Sequence, residues 1–385
     1  MIENGRKLKL LFYTELWANA GIESVTMSLT RNFNLERISV DIMAAQNLSD
    51  FYDEEIERLG CRKLITLTEK YNSPAARMAA NRNAFAEAIK AGEYDVVHIN
   101  MCNASAMIYG RIAKENGAKT VVYHSHNTNL GTSHRLLKTA VHNICKMRYE
   151  KYADALLSCS DLASEWMFTR KAIKKNRVTL VKNAIDLEKF EYSDEKRLAA
   201  REKLYLGDKF TVGHIGRFAV AKNHSYLIDV FKAVHDKQPD AVLLLVGEGE
   251  DENAIKAKVH NLGLDDCVIF YGTTRDIPQM LWAMDAFVLP SLFEGNPVVG
   301  IEAQAASAPC FFSENITRMC ALTENVEFIS LKKSPEYWAD EILKASGKSR
   351  TSNRETMRTQ GYDIKETAKA VQHIYEKIAE RAENQ

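Results

Sequence analysis

Asp285-Ala286-Phe287-Val288-Leu289-Pro290-Ser291-Leu292-Phe293-Glu294-Gly295-Asn296-Pro297-Val298-Val299-Gly300-Ile301-Glu302 reads as a buried strand, a loop and the opening of a helix. The run Ala286–Leu289 is short and wholly apolar, as expected of a parallel strand covered on both faces. Pro297 suits the first position of a helix. Amides at Gly295, Val298 and Val299 would then meet an anion, which the helix dipole favours. Glu294 falls in the loop, whereas Glu302 lies about a turn and a half into the helix at ~3.6 residues per turn. The two carboxylates therefore address different parts of a ligand and need not form an acid/base pair. An ordinary surface glutamate is the alternative for Glu302. The apolar stretch Pro297–Ala306 weakens it, because a half-buried charge needs a partner.

Outward from this stretch, short apolar runs alternate with helical patterns along nearly the whole chain. Thr211–Ile215, Ala241–Val246 and Val268–Tyr271 precede it, and Pro309–Ser313 follows. The first half carries Leu8–Tyr13, Val40–Met43, Lys63–Leu67, Val96–Asn100, Thr120–His124, Ala155–Ser158 and Val178–Lys182. Helix ends are readable between them: Ser73-Pro74 supplies a cap and a first residue, and Gly92 follows the last turn. This alternation predicts parallel sheets with crossover helices on both faces. The charged segment Asn183–Gly207 interrupts it. The expected fold is α/β, with two Rossmann-like doubly wound domains, residues 1–188 and 189–363. A last helix, about 364–385, has apolar residues at Ala368, Val371, Ile374 and Ile378, a helical period. Its pattern does not choose a domain, and packing back on the first is the expectation carried forward.

Composition agrees. At roughly 100–200 residues per domain, 385 residues make two. Hydrophobic residues are 46% of the chain, enough for substantial cores, which excludes intrinsic disorder. Lys+Arg and Asp+Glu balance at 51 each, against a protein whose whole surface grips nucleic acid, though local basic patches remain open. Apolar runs such as Ala241–Val246 fall far short of the roughly 18 residues a spanning helix needs. Lys7–Tyr13 is too short and too charged for a signal peptide. Seven scattered cysteines, with no C-x-x-C pair, are neither a disulfide framework nor a zinc site. A cytoplasmic location is expected.

Ligands of open α/β sheets bind beyond the carboxyl ends of the strands. Four further loops matter there. In Gly213-His214-Ile215-Gly216-Arg217-Phe218-Ala219-Val220-Ala221-Lys222-Asn223 a strand ends in glycine, and two cations follow before the next helix. Arg217 offers a fork of donors and Lys222 a point charge, suited to two linked phosphates; a pair of surface cations fits equally. Val121–Thr128 delivers His124 and His126 to a strand end, and zinc would need a third ligand that no local spacing supplies. Asn19-Ala20-Gly21-Ile22-Glu23-Ser24 forms a weak candidate nest of amides. Val246-Gly247-Glu248-Gly249-Glu250 lacks the third glycine of G-x-G-x-x-G and its glutamates would repel phosphate, so no dinucleotide site is expected.

Together the second half resembles the retaining, GT-B-fold glycosyltransferases of family 4. Gly216-Arg217…Lys222-Asn223-His224, Leu245–Gly249, Ile269–Gly272, Asp285–Ser291 and the E-x7-E element from Glu294 to Glu302 carry the likeness over about a hundred residues. The first half matches more loosely, through Ala20-Gly21-Ile22-Glu23, Val97-His98, His124-Ser125-His126-Asn127 and Asn183-Ala184-Ile185-Asp186. The look is of the branch found in bacterial exopolysaccharide and capsule clusters. Departures are Ala20, Ala184 and Ser307, each where the family often has glycine, and Ala221 before the lysine.

The resemblance implies a hexosyltransferase whose two domains face across a cleft and which retains configuration without a metal. Its donor is a nucleotide-diphosphate sugar, UDP-sugar ahead of GDP-sugar, and no further cofactor is expected. Arg217 and Lys222 would neutralise the diphosphate, and Glu302 would accept from the ribose hydroxyls. Glu294 with Gly295, Asn296, Pro297 and Val298 would hold the sugar and its phosphate, and Gly21 and Gly216 would line the donor site. His126, less readily His124, would reach the reacting centre from the first domain, which takes a glycan or lipid-linked acceptor. The alternatives are a nucleotide-sugar epimerase or hydrolase on the same fold, and a non-catalytic binding subunit. A glycoside hydrolase using Glu294 and Glu302 would leave the cationic loop unexplained. Finally, residues 133–152 read as a helix with Arg135, Lys138, Lys146, Arg148 and Lys151 beside Leu137, Val141, Ile144 and Cys145. Such a basic amphipathic helix fits peripheral contact with the anionic inner face of the cell membrane.

Overall fold

The structure, a computed structural model, describes residues 6–18, 20–127, 135–294 and 296–384. It divides into two compact units, one of residues 1–184 with 364–385 and one of residues 185–363. Each is built on one parallel sheet. In the first unit β1 (Leu8–Trp17), β2 (Ile38–Asn47), β3 (Arg62–Ile65), β4 (Val96–Met101), β5 (Thr120–Ser125), β6 (Ala155–Ser158) and β7 (Val178–Leu180) lie in the order β3-β2-β1-β4-β5-β6-β7. In the second, β8 (Thr211–Ile215), β9 (Val242–Val246), β10 (Val268–Gly272), β11 (Ala286–Leu289), β12 (Cys310–Ser313) and β13 (Val326–Ile329) lie in the order β10-β9-β8-β11-β12-β13. Both orders reverse once, between β1 and β4 and between β8 and β11. Loops leaving the carboxyl ends of those central strands open onto the crevice where such sheets take ligands.

Both faces of each sheet are covered. In the second unit one core gathers Val212, Phe231, Leu243 and Trp338, and the other Phe287, Leu289, Ile301 and Phe312. All the apolar runs read from the sequence are strands. The strand β13 (Val-Glu-Phe-Ile) was not among them, since its charged second residue and half-exposed edge position hide the apolar run.

Register is pinned from below by aspartates that stand immediately before strands. Asp285, just before β11, accepts through Oδ2 from the Thr211 N–H at the start of β8 (2.8 Å) and from Arg201 (3.1 Å), with Arg197 on Oδ1 (2.6 Å). Asp95, before β4, accepts from the Lys9 N–H beside it on β1 (2.9 Å) and is paired with Arg6 (2.6 Å) and Lys119 (3.0 Å). Burial opposes its ionisation, yet these donors hold its carboxyl below the usual range. Asp154, before β6, does the same for Val121 N–H on β5 (2.7 Å).

The helix Ile364–Glu383 packs on the first unit. Val371, Tyr375 and Ala379 are buried there, Asn34 N–H donates to Gln372 Oε1 (2.9 Å), and Arg37 pairs with Glu376 (3.1 Å). The Tyr375 hydroxyl meets His98 Nδ1 on β4 at 2.7 Å.

The basic helix spans Arg135–Tyr149, residues 133 and 134 lying outside the described ones. Leu137, Val141, Ile144 and Met147 are exposed, Leu137 by 69% and Met147 by 71%, while Cys145 is partly buried against the core. Lys146 is not on that rim as expected: its ammonium donates to the Glu165 and Trp166 carbonyls (3.0 and 2.9 Å), because that side of the helix faces the carboxyl end of the helix Asp161–Met167.

Candidate functional site

In the second unit, β8 runs into Gly216 and Arg217, then a single 3₁₀ turn, Val220–Lys222. Asn223 takes a left-handed backbone (φ 57°) and the helix His224–Lys237 follows. A Cβ on Gly216 would come within 3.1 Å of the Lys222 stem, so a bare backbone there lets the lysine fold back over the strand end. Gly247 (φ 138°) and Gly249 lie against the same loop: a Cβ on the first would meet the Gly216 carbonyl at 2.1 Å, and on the second the Phe218 carbonyl at 2.4 Å. Phe218 N–H donates to Glu248 O (3.0 Å). The glycines of Val246–Glu250 thus support the cationic loop by close backbone packing.

The loop after β11 is tied to the first by Leu292 N–H donating to Ala221 O (2.8 Å) and Asn223 Nδ2 donating to Pro290 O (3.1 Å). These ties bring Lys222 Nζ to 2.5 Å from Glu294 Oε1, both side chains only 18% exposed. Ser291 Oγ is a more distant donor to the same oxygen (3.4 Å). Arg217 is set differently. It is 66% exposed and its Nε donates to Glu250 Oε2 (3.0 Å), so the two cations are not a matched pair at rest.

Pro297 sits one residue earlier than expected. It caps the helix Val298–Ala305 rather than opening it, its ψ of 117° keeping it extended. Val298 and Val299 remain first-turn residues, whose N–H groups have no acceptor within the helix. Asn296 is half-buried between Glu294 and the helix, and Gly295 lies outside the described residues. Glu302 is partly buried one turn on. Burial pushes its carboxyl up to about 7, with Lys189 pulling the other way.

Two further residues, Gln304 in this helix and His224 at the start of the helix His224–Lys237, have parts that the sequence did not assign. Gln304, fully buried, donates to the Gly300 and Cys320 carbonyls (2.8 and 2.7 Å) and accepts from the Leu322 and Thr323 N–H groups (2.7 and 3.1 Å), fastening the helix to the next loop. His224 stacks on Phe218 (4.2 Å between ring centres), and burial lowers its pKa to about 4.

In the first unit, Gly21 opens the helix Gly21–Asn32, and a Cβ there would meet nothing within 4 Å. The expected nest is partly filled from within. The Glu23 carboxylate is buried there, and that burial raises its pKa against the opposing pull of the nearby Glu23, Ala18 and Ala20 N–H groups. The two histidines separate clearly. His124 is fully buried, its Nδ1 3.2 Å from His98 Nε2. His126 is partly buried, with Nε2 2.8 Å from Asn100 Oδ1, and burial lowers its pKa to about 4. Among the described residues no three His, Cys, Asp or Glu side chains gather as metal ligands.

The model of Glycosyl transferases group 1 matches residues 196–363, and that of Glycosyltransferase Family 4 matches residues 19–189. The chain belongs to the family 4 glycosyltransferases. It is 28% identical, over 99% of its length and 100% of the relative's, to the protein of Bacillus subtilis named as glycosyltransferase EpsF. It is 26% identical to the UDP-Gal:alpha-D-GlcNAc-diphosphoundecaprenol alpha-1,3-galactosyltransferase of Escherichia coli, over 83% of this chain and 82% of that one. The capsular polysaccharide biosynthesis glycosyltransferase CapM of Staphylococcus aureus is 29% identical over 59% of this chain and 60% of its own. The crystal structure of Anabaena Alr3699/HepE in complex with UDP and glucose superposes with a TM-score of 0.74, covering 95% of this chain and 99% of that one. At 18% identity that likeness is one of fold, the GT-B arrangement of two parallel-sheet domains. The protein is a glycosyltransferase of the exopolysaccharide and capsule type, and its sequence relatives do not favour the epimerase or binding-subunit alternatives.

The glycosyltransferase strains its backbone in the turn after the helix Val298–Ala305. Ser307, where the family often has glycine, holds φ at 57°, and its buried hydroxyl has no partner among the described residues. A non-glycine residue pays about 1–2 kcal/mol for that backbone. Ser307→Gly should therefore raise stability by about 1 kcal/mol, seen as a higher urea midpoint. An unchanged or lower midpoint would contradict the strain.

Glu302 gives a second expectation. Its carboxyl binds a proton more tightly folded than unfolded, so folding weakens as pH rises from the ordinary value of 4.5 through about 7. Relative to Glu302→Gln, the wild type should lose on the order of 1–3 kcal/mol across that window. Stability curves that stay parallel would show that this carboxyl is not desolvated.

Proposed function

We propose that the second unit binds the diphosphate of a nucleotide-diphosphate sugar, UDP-sugar ahead of GDP-sugar. The enzyme then moves the sugar, with retained configuration and no metal, to a glycan or lipid-linked acceptor held by the first unit. The observation that carries this reading is Lys222 at 2.5 Å from Glu294, two loops joined at the strand-order reversal of the second sheet. A diphosphate arriving at the Val298 and Val299 amides supplies a stronger anion to the lysine, and Glu294 is released to accept from sugar hydroxyls. Arg217, exposed beside it, swings from Glu250 to the same diphosphate. As the bond from the anomeric carbon to the phosphate oxygen breaks, negative charge grows on the leaving group. Fixed cations stabilise that transition state more than the ground state. The acceptor hydroxyl attacks from the face the diphosphate leaves and gives its proton to the departing phosphate oxygen, which retains configuration without an enzyme nucleophile. Glu302 accepts from the ribose hydroxyls, and His126 from a sugar or acceptor hydroxyl. The name of the E. coli relative, with its UDP-Gal donor and diphosphoundecaprenol-linked acceptor, supports both substrate classes.

A thermal-shift panel of UDP, GDP, ADP and their sugars tests the donor, since the preferred ligand raises the melting temperature by mass action. Lys222→Ala and Glu302→Ala should each lower transfer roughly ten- to hundredfold, the loss of one charge-assisted contact of about 1.5–3 kcal/mol. Turnover unchanged in both variants would remove the donor site from these loops. EDTA should leave activity intact, and a strong loss restored by magnesium or manganese would overturn metal independence.

The helix Arg135–Tyr149 offers the acceptor side a surface. Leu137, Val141 and Ile144 are exposed along one stripe with Arg148, the helix contains no acid, and no helix among the described residues is long and apolar enough to cross a membrane. Apolar side chains ringed by cations fit the surface of an anionic bilayer, each cation adding on the order of 1 kcal/mol. The wild type should float with anionic liposomes at low salt, and a variant carrying Leu137→Glu, Ile144→Glu and Arg148→Glu should not. Equal recovery of both, or of neither, would sink the idea.

A further inference from the structure

His126 stands at the end of β5 beside Asn100 of β4, and the asparagine decides what the histidine can do. Asn100 is only 5% exposed. Its two amide atoms are committed to two neighbours: Nδ2 donates to Thr26 Oγ1 on the helix Gly21–Asn32 (3.3 Å), and Oδ1 lies 2.8 Å from His126 Nε2. A carbonyl oxygen only accepts, so the hydrogen between Oδ1 and Nε2 belongs to the imidazole. A neutral imidazole has one N–H, and with it on Nε2 the Nδ1 atom is a bare acceptor.

We infer that Asn100, braced by the buried Thr26, is a positioning residue that fixes His126 as its Nε2–H tautomer and so presents Nδ1 as an acceptor for a hydroxyl hydrogen. That a substrate hydroxyl occupies this place rests on the proposed glycosyl transfer; the tautomer itself does not. The groups that face the ring are consistent with a permanently neutral histidine. His124, whose ring centre is 4.0 Å away, is buried and bonded to His98, and His98 in turn to Tyr375. Among the described residues no carboxylate joins this chain of rings, and burial lowers the pKa of all three histidines, outweighing the opposing hydrogen bond from Asn100 at His98. A neutral His126 in one tautomer discriminates by hydrogen-bond sense. It welcomes a hydroxyl or N–H and disfavours a bare phosphate or carboxylate oxygen, which would set lone pair against lone pair.

The test is NMR of protein labelled with 15N-histidine, with His126→Gln identifying the His126 signals among the ten histidines. In the wild type the long-range correlations should show a protonated Nε2 and an unprotonated Nδ1, unchanged between about pH 5.5 and 8. Asn100→Leu, which fills the space without a carbonyl, should yield a mixture of tautomers. Asn100→Asp should keep Nε2–H but raise the His126 pKa by about one unit or more, because a carboxylate stabilises the imidazolium. Thr26→Val, which frees the amide to turn, should weaken the preference while leaving the melting temperature close to wild type. An Nδ1–H tautomer in the wild type overturns the proposal, as does an intact Nε2–H tautomer in Asn100→Leu. Loss of folding in Asn100→Leu leaves Asn100→Asp to decide, and a His126 pKa there equal to the wild type's refutes the contact. Should these signatures hold while His126→Ala transfers sugar normally, the tautomer stands and the catalytic reading of His126 falls by itself.

Discussion

An aspartate placed one residue before a strand, accepting an amide from the neighbouring strand, is the constraint on which both sheets depend. Asp285 does this for β11 and β8, and Asp95 for β4 and β1, the two pairs where strand order reverses. A parallel pair slipped by one residue would turn every inward side chain outward. The aspartates prevent the slip at the amino ends, and the short strands carry that setting to the carboxyl ends. Gly216 and Pro290 emerge side by side there, close enough for Lys222 to reach Glu294. The carboxylates are tolerable in partly or fully buried positions because Arg197, Arg201, Arg6 and Lys119 surround them. Asp285, part of the motif that ties this chain to its family, therefore acts on the site only through geometry.

Most of the fold was legible because parallel strands covered on both faces are continuous apolar runs, and those runs are unambiguous here. What escaped was local: β1 and β2 continue to Trp17 and Asn47 through polar residues such as Glu15 and Gln46, and β13 carries a glutamate. The chemistry of the second-unit loops was legible as residue types but not as partners. Glu294 lies 72 positions from Lys222, and only the adjacency of β8 and β11 unites them. His124 and His126 alternate with Ser125 on a strand, so sequence could place both on one side but not assign their depth. Burial separates them: one is sealed against His98, the other reaches the surface. The left-handed backbone at Ser307 is likewise a property of the turn after the helix Val298–Ala305, visible in sequence only as a missing glycine.

The carboxylates near the proposed donor site differ in how their charge is met. Glu294 has a lysine and Glu250 an arginine, whereas Glu302 has the opposing field of Lys189. A site prepared for an anion must hold its cations without discharging them permanently. An ion pair between two loops achieves that, since each partner keeps the other extended and neither is sequestered by a rigid element.

The return of the helix Ile364–Glu383 to the first unit has a consequence for the order in which the protein matures on the ribosome. Residues 185–363 form a contiguous unit that can close once the helices carrying Trp338 and Met357 have emerged behind its last strand. The first unit, although begun earlier, lacks the helix that covers Phe33 and supplies the hydroxyl for His98 until residues 364–383 are translated. Domains usually complete themselves in the order of synthesis. Here the later unit finishes first, and the earlier one waits with an uncovered apolar face.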